Sequence, residues 1–140
     1  MAAGWKWSRR PRVSGSGKKY GNVKAEIDGE LFDSRKEARR HIYLQHLLET
    51  GQISDLQRQV HFELIPAQRE PDTVGPRGGV RKGKTIELAC EYVADFVYKD
   101  KDGLTVVEDV KGYKNGSGYK TFVLKRKLML YIYGIRIKEV

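Results

Sequence analysis

The sequence predicts an α/β protein in which a mixed central β-sheet is flanked by helices. Two segments alternate apolar and polar residues, as strands do, at 59–66 and 85–98, and residues 104–111 are predicted as a further strand. Two others, after Ser34 and over 119–133, carry apolar residues at helical spacing. A chain of 140 residues suits one domain with one core.

The first elements are a hairpin and a helix. Asp28-Gly29 suits a type I′ turn, so we predict a short hairpin around it. Ser34 and Glu37 form the capping box S-x-x-E, which begins a helix that Gly51 ends. The residues expected on its apolar face are Ala38, Ile42, Leu44, Leu47 and Leu48.

The second half begins with a predicted long loop at 66–84, which contains three prolines and four glycines. The helix over 119–133 should end at Gly134, and residues 135–140 should close the chain as a strand. Its inward residues are expected to be Phe122, Val123, Leu130 and Tyr133.

The positive charge is segregated. The net charge is +9, and residues 1–25 and 111–138 contain many cations and no acid. This pattern favours a polyanionic partner, and we predict DNA. Residues 1–19 are read as a flexible basic arm and 20–140 as the folded domain. The expected DNA contacts are Arg9, Arg10, Arg12, Lys18, Lys19, Lys114, Lys120, Lys125 and Lys127.

Several classes of protein are disfavoured. No apolar run approaches the ~18 residues of a membrane span, and no signal peptide is visible. Cys90 is the only cysteine, so neither an internal disulfide nor a cysteine-rich zinc site can form. We therefore expect a cytoplasmic protein without a membrane partner.

The string GGVRKGKT, residues 78–85, matches the phosphate-loop pattern G-x-x-x-x-G-K-[ST]. Such a loop follows a buried strand and opens a helix, whose N-terminus faces the phosphate. Here the string follows a loop rich in Pro and Gly, and it precedes a predicted strand. We therefore predict that no nucleotide binds.

Acidic residues and a lysine lie on the last two long strands. Asp109 and Lys111 share a face because strand side chains alternate. A three-residue loop at 101–103, with Gly103 left-handed, would bring Asp95 opposite Asp109. A two-residue loop would instead pair Asp95 with Val110. The first register is preferred because it leaves one acidic face and one mostly apolar face.

Glu108 points to the other face in this register, where we expect it to be solvated or paired unless a bulge brings it into the site. The opposed carboxylates of Asp95 and Asp109 repel each other, and a divalent cation removes that cost. Oxygen ligands suit Mg²⁺ or Mn²⁺, and the Lys111 ammonium can position water beside a phosphate.

The pattern of Asp95 followed by Asp109-Val110-Lys111 across a hairpin resembles the PD-(D/E)XK nuclease superfamily, although no proline precedes Asp95. Over residues 20–140 the chain is similar to small phage-encoded endonucleases akin to Holliday-junction resolvases. The resemblance implies a restriction-endonuclease-like core. It implies the catalytic residues Glu37, Asp95, Asp109 and Lys111, metal ligation by Asp95, Asp109, Glu37 and the Val110 carbonyl, and a supporting Gln59.

The expected function is a Mg²⁺-dependent endonuclease acting on branched or junction DNA, in phage recombination or DNA processing within the host cytoplasm. Junction resolution requires two coordinated cuts, so a homodimer is expected for that activity. The alternative is a non-catalytic basic DNA-binding protein with a degenerate nuclease site.

Overall fold

The computed structural model describes residues 24–112 and 114–140. The predicted contacts Arg9, Arg10, Arg12, Lys18 and Lys19 lie outside this part of the chain. In chain order the elements are β1 (Ala25–Ile27), β2 (Glu30–Phe32), α1 (Arg35–Glu49), β3 (Ser54–Ile65), β4 (Gln68–Arg69), β5 (Thr73–Val74), β6 (Val80–Arg81), β7 (Thr85–Glu87), β8 (Cys90–Lys99), β9 (Thr105–Asp109), α2 (Ser117–Tyr133) and β10 (Lys138–Glu139).

The central sheet has four strands in the order β10-β9-β8-β3. β3, β8 and β9 are antiparallel neighbours, whereas β10 is parallel to β9. Val106 packs with the core cluster that contains Leu44 of α1, and Val107 belongs to the cluster that contains Phe122 of α2. Consecutive strand residues point to opposite faces, so one helix covers each face. The predicted α/β class with a mixed sheet is confirmed.

The hairpin of β8 and β9 has the predicted register. The ladder pairs Phe96 with Glu108 and Lys99 with Thr105, around a three-residue loop in which Gly103 is left-handed at φ 76°. One side-chain oxygen of Asp100 accepts the N–H groups of Asp102 and Leu104 and so closes the turn. Extending the ladder by one residue brings Asp95 opposite Asp109, and the two-residue alternative is wrong.

The first hairpin and the start of α1 also follow the sequence. Asp28 and Gly29 are both left-handed, as a type I′ turn requires. The Ser34 hydroxyl accepts the Glu37 N–H at 3.1 Å. Gly51, at φ 71°, lies just beyond the helix end.

The predicted apolar face of α1 is only partly right. Ala38 and Leu44 are buried, but Ile42 and Leu48 are exposed. His41 is buried instead, because its ring lies between those of Phe32 and Phe96, with centroid separations of 5.1 and 6.0 Å. The buried face of α1 therefore includes His41 in place of the predicted Ile42.

The predicted inward face of α2 needs a similar correction. Phe122 is buried as expected and Val123 is half-buried. Met129 is fully buried, whereas its neighbour Leu130 and also Tyr133 are exposed. The Tyr133 hydroxyl donates to the Glu63 carbonyl, which explains why this ring stays at the surface. Gly134 ends the helix in the left-handed conformation.

Residues 66–89, which we call the β-arm, differ from the predicted loop. β4 pairs with β7 and β5 pairs with β6, so the segment is a two-stranded extension beyond β3 and β8. The predicted strand 85–98 is divided at Leu88-Ala89, where Leu88 is 82% exposed. GGVRKGKT lies within this arm and opens no helix, as its flanks predicted.

Neither described helix combines the length and the apolar character needed to cross a bilayer.

Candidate active site

Four elements bring the predicted acidic residues together. Glu37 lies in the first turn of α1, Asp95 lies in β8 and Asp109 ends β9. Gln59 of β3 lies between two of them, since its side-chain nitrogen is 3.2 Å from Glu37 Oε1 and 3.4 Å from Asp95 Oδ1. We call Glu37, Asp95 and Asp109 the acidic cluster, and the Gln59 amide links two of its members.

Asp95 is tied directly to the strand that carries Asp109. The backbone N–H of Val110 donates to Asp95 Oδ2 at 2.7 Å. This bond places the Asp95 carboxylate at the end of β9, as the predicted register requires. The role expected for the Val110 carbonyl oxygen as a metal ligand remains a prediction.

Asp109 is buried and has two partners. Its Oδ1 accepts the Tyr92 hydroxyl at 3.0 Å, and its Oδ2 lies 2.5 Å from Lys111 Nζ. This Oδ2 is buried, and the Lys111 ammonium is its charged neighbour among the described residues. Lys111 Nζ also lies 3.6 Å from the centroid of the Phe122 ring. The ammonium is therefore fixed between a carboxylate and an aromatic face.

Charge repulsion and burial act together on the acidic cluster. Burial, with the nearby carboxylates of Asp109 and Glu37, raises the pKa of Asp95 from 3.8 to about 6, against the opposing effects of the Val110 N–H and Lys111. Burial also raises the pKa of Glu37, although Arg58 and Gln59 oppose this shift. Burial is thus the main cause of both raised pKa values, and the neighbouring carboxylates add to the shift at Asp95.

Gln59 has an unusual backbone. Its φ is +50°, a left-handed conformation that costs energy for any residue other than glycine. The β3–β8 ladder pairs Arg58 with Phe96 and Val60 with Ala94 but omits Gln59. Strain of this kind is typical of functional positions, and here it aims the Gln59 amide at the acidic cluster. Sequence reasoning found the residue but not the strain.

Lys36 is a residue that sequence reasoning missed. Its Nζ donates to the carbonyl oxygens of Lys111 and Val140, at 2.7 and 2.8 Å. Val140 also pairs with β9, donating to the Asp109 carbonyl and accepting the Lys111 N–H. The backbone that carries Lys111 is thus held from two sides. These partners are distant in sequence, so no local pattern indicates them.

Glu108 lies outside the acidic cluster. Its side chain has no solvent exposure, and it accepts hydrogen bonds from Arg40 and from the Tyr98 hydroxyl, with Lys138 Nζ at 3.1 Å. Burial alone would raise the pKa of Glu108, but these donors outweigh it and hold that pKa below 4.5. The residue is paired, as one alternative expected, and it is not solvated. No bulge brings it into the site.

The predicted DNA contacts within the described residues lie on and before α2. Lys114 is exposed and lies 3.4 Å from Glu139 Oε2. Lys120 and Lys127 are exposed, whereas Lys125 is half-buried. Their contact with DNA remains a prediction.

Within residues 24–112 and 114–140, no three His, Cys, Asp or Glu side chains are gathered in an arrangement ready to hold a metal ion. The Gln59 amide lies between the carboxylates of Glu37 and Asp95, and the Lys111 ammonium contacts the carboxylate of Asp109.

Comparison with protein families shows which family the chain belongs to. The model of a family described as "Protein of unknown function (DUF1064)" matches residues 17–138. The chain belongs to this family, and the match includes every member of the acidic cluster together with Gln59 and Lys111. Comparison with curated proteins and with solved structures found no match.

Proposed function

We propose that the protein is a Mg²⁺- or Mn²⁺-dependent DNA endonuclease of the PD-(D/E)XK type, with a restriction-endonuclease-like core, that cleaves branched or junction DNA. One observation carries the proposal. Two carboxylates face each other across a hairpin, beside a buried glutamate and a fixed lysine, and their repulsion helps raise the pKa of Asp95 to about 6. Neighbouring carboxylates that destabilise the folded protein and have perturbed pKa values are typical of a functional site.

The donor atoms fit a hard divalent cation. Glu37, Asp95 and Asp109 supply carboxylate oxygens, the ligands that Mg²⁺ prefers. Among the described residues, buried Oδ2 of Asp109 accepts no hydrogen bond, and its charged neighbour is the Lys111 ammonium at 2.5 Å. Asp95 and Asp109 would hold the ion with the Val110 carbonyl, and Glu37 would bind it directly or through water. When bound, the metal polarises the phosphodiester and favours a water nucleophile at neutral pH.

The chain's own residues would orient the reaction. Lys111 Nζ, fixed against Asp109 and Phe122, would hold the attacking water and offset negative charge that develops on the phosphate. The Gln59 amide would keep Glu37 and Asp95 apart at a constant spacing. Lys36 would fix the backbone of Lys111.

Cleavage of a panel of DNA structures tests the proposal. The panel contains duplex, nicked, flap, single-stranded and four-way DNA, each incubated with Mg²⁺, with Mn²⁺ and with EDTA. We expect metal-dependent cuts, preferentially on the flap or the four-way DNA. If the protein binds these DNAs but cuts none with either metal, the nuclease assignment fails and the alternative of a DNA-binding protein with a degenerate site replaces it.

A further inference from the structure

The β-arm is an ordered structure. The Glu70 N–H donates to the Lys84 carbonyl at 2.9 Å, and the Gly83 N–H donates to an Asp72 carboxylate oxygen at 2.9 Å. A Cβ atom on Gly83 would lie 1.8 Å from the Glu70 carbonyl oxygen. The two sides of the arm therefore approach so closely that only glycine fits at residue 83.

The arm has almost no core of its own. Gly75 and Gly83 are half-buried, and every other residue of 66–89 is exposed. Val74 pairs with Val80 across β5 and β6, yet these side chains are 73% and 70% exposed. Ordering a segment costs conformational entropy, and this arm recovers little of it by burying apolar surface. A partner that covers the arm would recover more.

The charge at the end of the β-arm indicates the chemistry of that partner. Residues 75–84, which we call the tip, contain four cations and no acid. Their positions are Arg77, Arg81, Lys82 and Lys84. Two copies of this tip would repel each other, so a second copy of the chain is a poor occupant, whereas a polyanion is attracted.

The shape fits duplex DNA. The major groove of B-DNA, about 12 Å wide, admits a two-stranded β-ribbon. The ten residues 66–75, four of which lie in β4 and β5, would reach at most about 33 Å if fully extended, close to one helical turn of the duplex. The glycines of the tip allow its backbone to approach phosphate oxygens closely.

We propose that the β-arm is a second DNA-contacting element, which lies along the duplex that flanks the cleavage point and binds its phosphates through Arg77, Arg81, Lys82 and Lys84. The proposal rests on the proposed function for its class of partner. It does not depend on catalysis, so binding alone can test it.

The experiment measures binding of the full chain to a 30-base-pair duplex, without divalent metal, over a series of salt concentrations. Changing all four tip cations to Gln should weaken binding at least about tenfold and make the salt slope shallower by about 2 to 4, since each lost phosphate contact removes about 0.9. Arg77→Lys with Arg81→Lys keeps the charge and should keep the slope.

A matched control removes the same charge elsewhere. Lys24, Arg35, Arg39 and Lys101 are exposed residues outside the arm. Changing these four to Gln should alter affinity and slope much less than the tip variant does. If both variants lose affinity equally, only net charge matters and the proposal is overturned. The proposal is also overturned if the tip variant binds DNA with unchanged affinity and salt slope. Loss of self-association by that variant in sedimentation would then assign the tip to contacts between copies of the chain.

The two proposals fail in different ways. If the tip variant loses binding and the wild type cleaves no DNA with either metal, DNA contact by the β-arm is supported and nuclease activity is refuted. If the wild type cleaves DNA and the tip variant binds normally, nuclease activity is supported and DNA contact by the β-arm is refuted.

Discussion

Arg40 donates two hydrogen bonds to Glu108, from Nε at 2.8 Å and from Nη2 at 2.7 Å. Arg40 lies one turn after Glu37 on α1, and Glu108 immediately precedes Asp109 on β9. The pair therefore joins the helix that carries Glu37 to the strand that carries Asp109. We regard Glu108 as a positioning residue.

Glu108→Gln should lower the free energy of unfolding by about 3 kcal/mol, because it leaves Arg40 and Lys138 without their buried counter-charge. For a domain of this size the melting temperature would fall by roughly 10 °C. Tyr98→Phe, which removes one donor to Glu108, should cost about 1 kcal/mol. Thermal melts monitored by circular dichroism would measure both changes.

The pH dependence tests the same pair. Because the pKa of Glu108 is lowered in the folded protein, its ionised carboxylate stabilises the fold at any pH above the pKa of the unfolded chain. This contribution is lost as the pH falls through the folded pKa. The difference between wild type and Glu108→Gln should therefore narrow as the pH falls below 4.5. A constant difference down to pH 3 would show that the charge of Glu108 does not matter.

Asp95→Asn should stabilise the metal-free protein at neutral pH. The carboxyl has a folded pKa of about 6 against an ordinary 3.8, so above pH 6 its ionisation opposes folding by roughly 3 kcal/mol. As the pH falls through 6 toward 4, protonation restores that stability to the wild type. The gain in melting temperature should therefore be largest at pH 7 to 8 and disappear near pH 4.

Asp102→Asn, in the exposed turn of the same hairpin, is the control and should change little at any pH. Mg²⁺ should raise the melting temperature of the wild type but not that of Asp95→Asn. Equal stabilisation of both by Mg²⁺ would remove Asp95 from the proposed metal site.

Gln59→Gly should separate stability from activity. Glycine adopts φ +50° without strain, so the melting temperature should stay level or rise, whereas the amide that links Glu37 and Asp95 is lost. Cleavage should fall roughly 10- to 100-fold, as for other residues that orient ligands. Gln57→Gly is the matched control in the same strand: it should cost about 1 kcal/mol and leave cleavage nearly intact.

Asp109→Asn and Lys111→Ala should each reduce cleavage on the order of 10²- to 10³-fold. Their stabilities should differ, because Lys111→Ala leaves buried Asp109 without its cation, whereas Asp109→Asn relieves repulsion with Asp95. Asp109→Asn should bind DNA at least as well as the wild type, and Lys111→Ala slightly worse. Lys101→Ala, on the turn, should cleave normally. Full activity in Asp109→Asn would refute the proposed site.

Local signals account for what the sequence predicted correctly. Gly103 and the alternation of the flanking strands set the register that brings Asp95 opposite Asp109, and Ser34 sets where α1 begins. These features depend on residues within a few positions of each other.

Distant partners account for the rest. His41 replaces Ile42 in the core because Phe32 and Phe96 flank it, and no helical periodicity reveals that. Glu108 is buried because Arg40 and Lys138 meet it in space. The sequence predicts a loop at 66–84 because the strands within that range have two residues each, too few to show a pattern of alternation.

β3 is the outer strand of the central sheet, and among the described residues it pairs only with β8. Long open edges invite edge-to-edge aggregation, which many proteins prevent by breaking the regularity of the strand. Left-handed Asp55 and Gln59 interrupt β3 at two points, so its outer N–H and C=O groups do not form one continuous row. The left-handed backbone of Gln59, which directs its amide to the carboxylates, therefore also disfavours the pairing of β3 with another copy of the sheet.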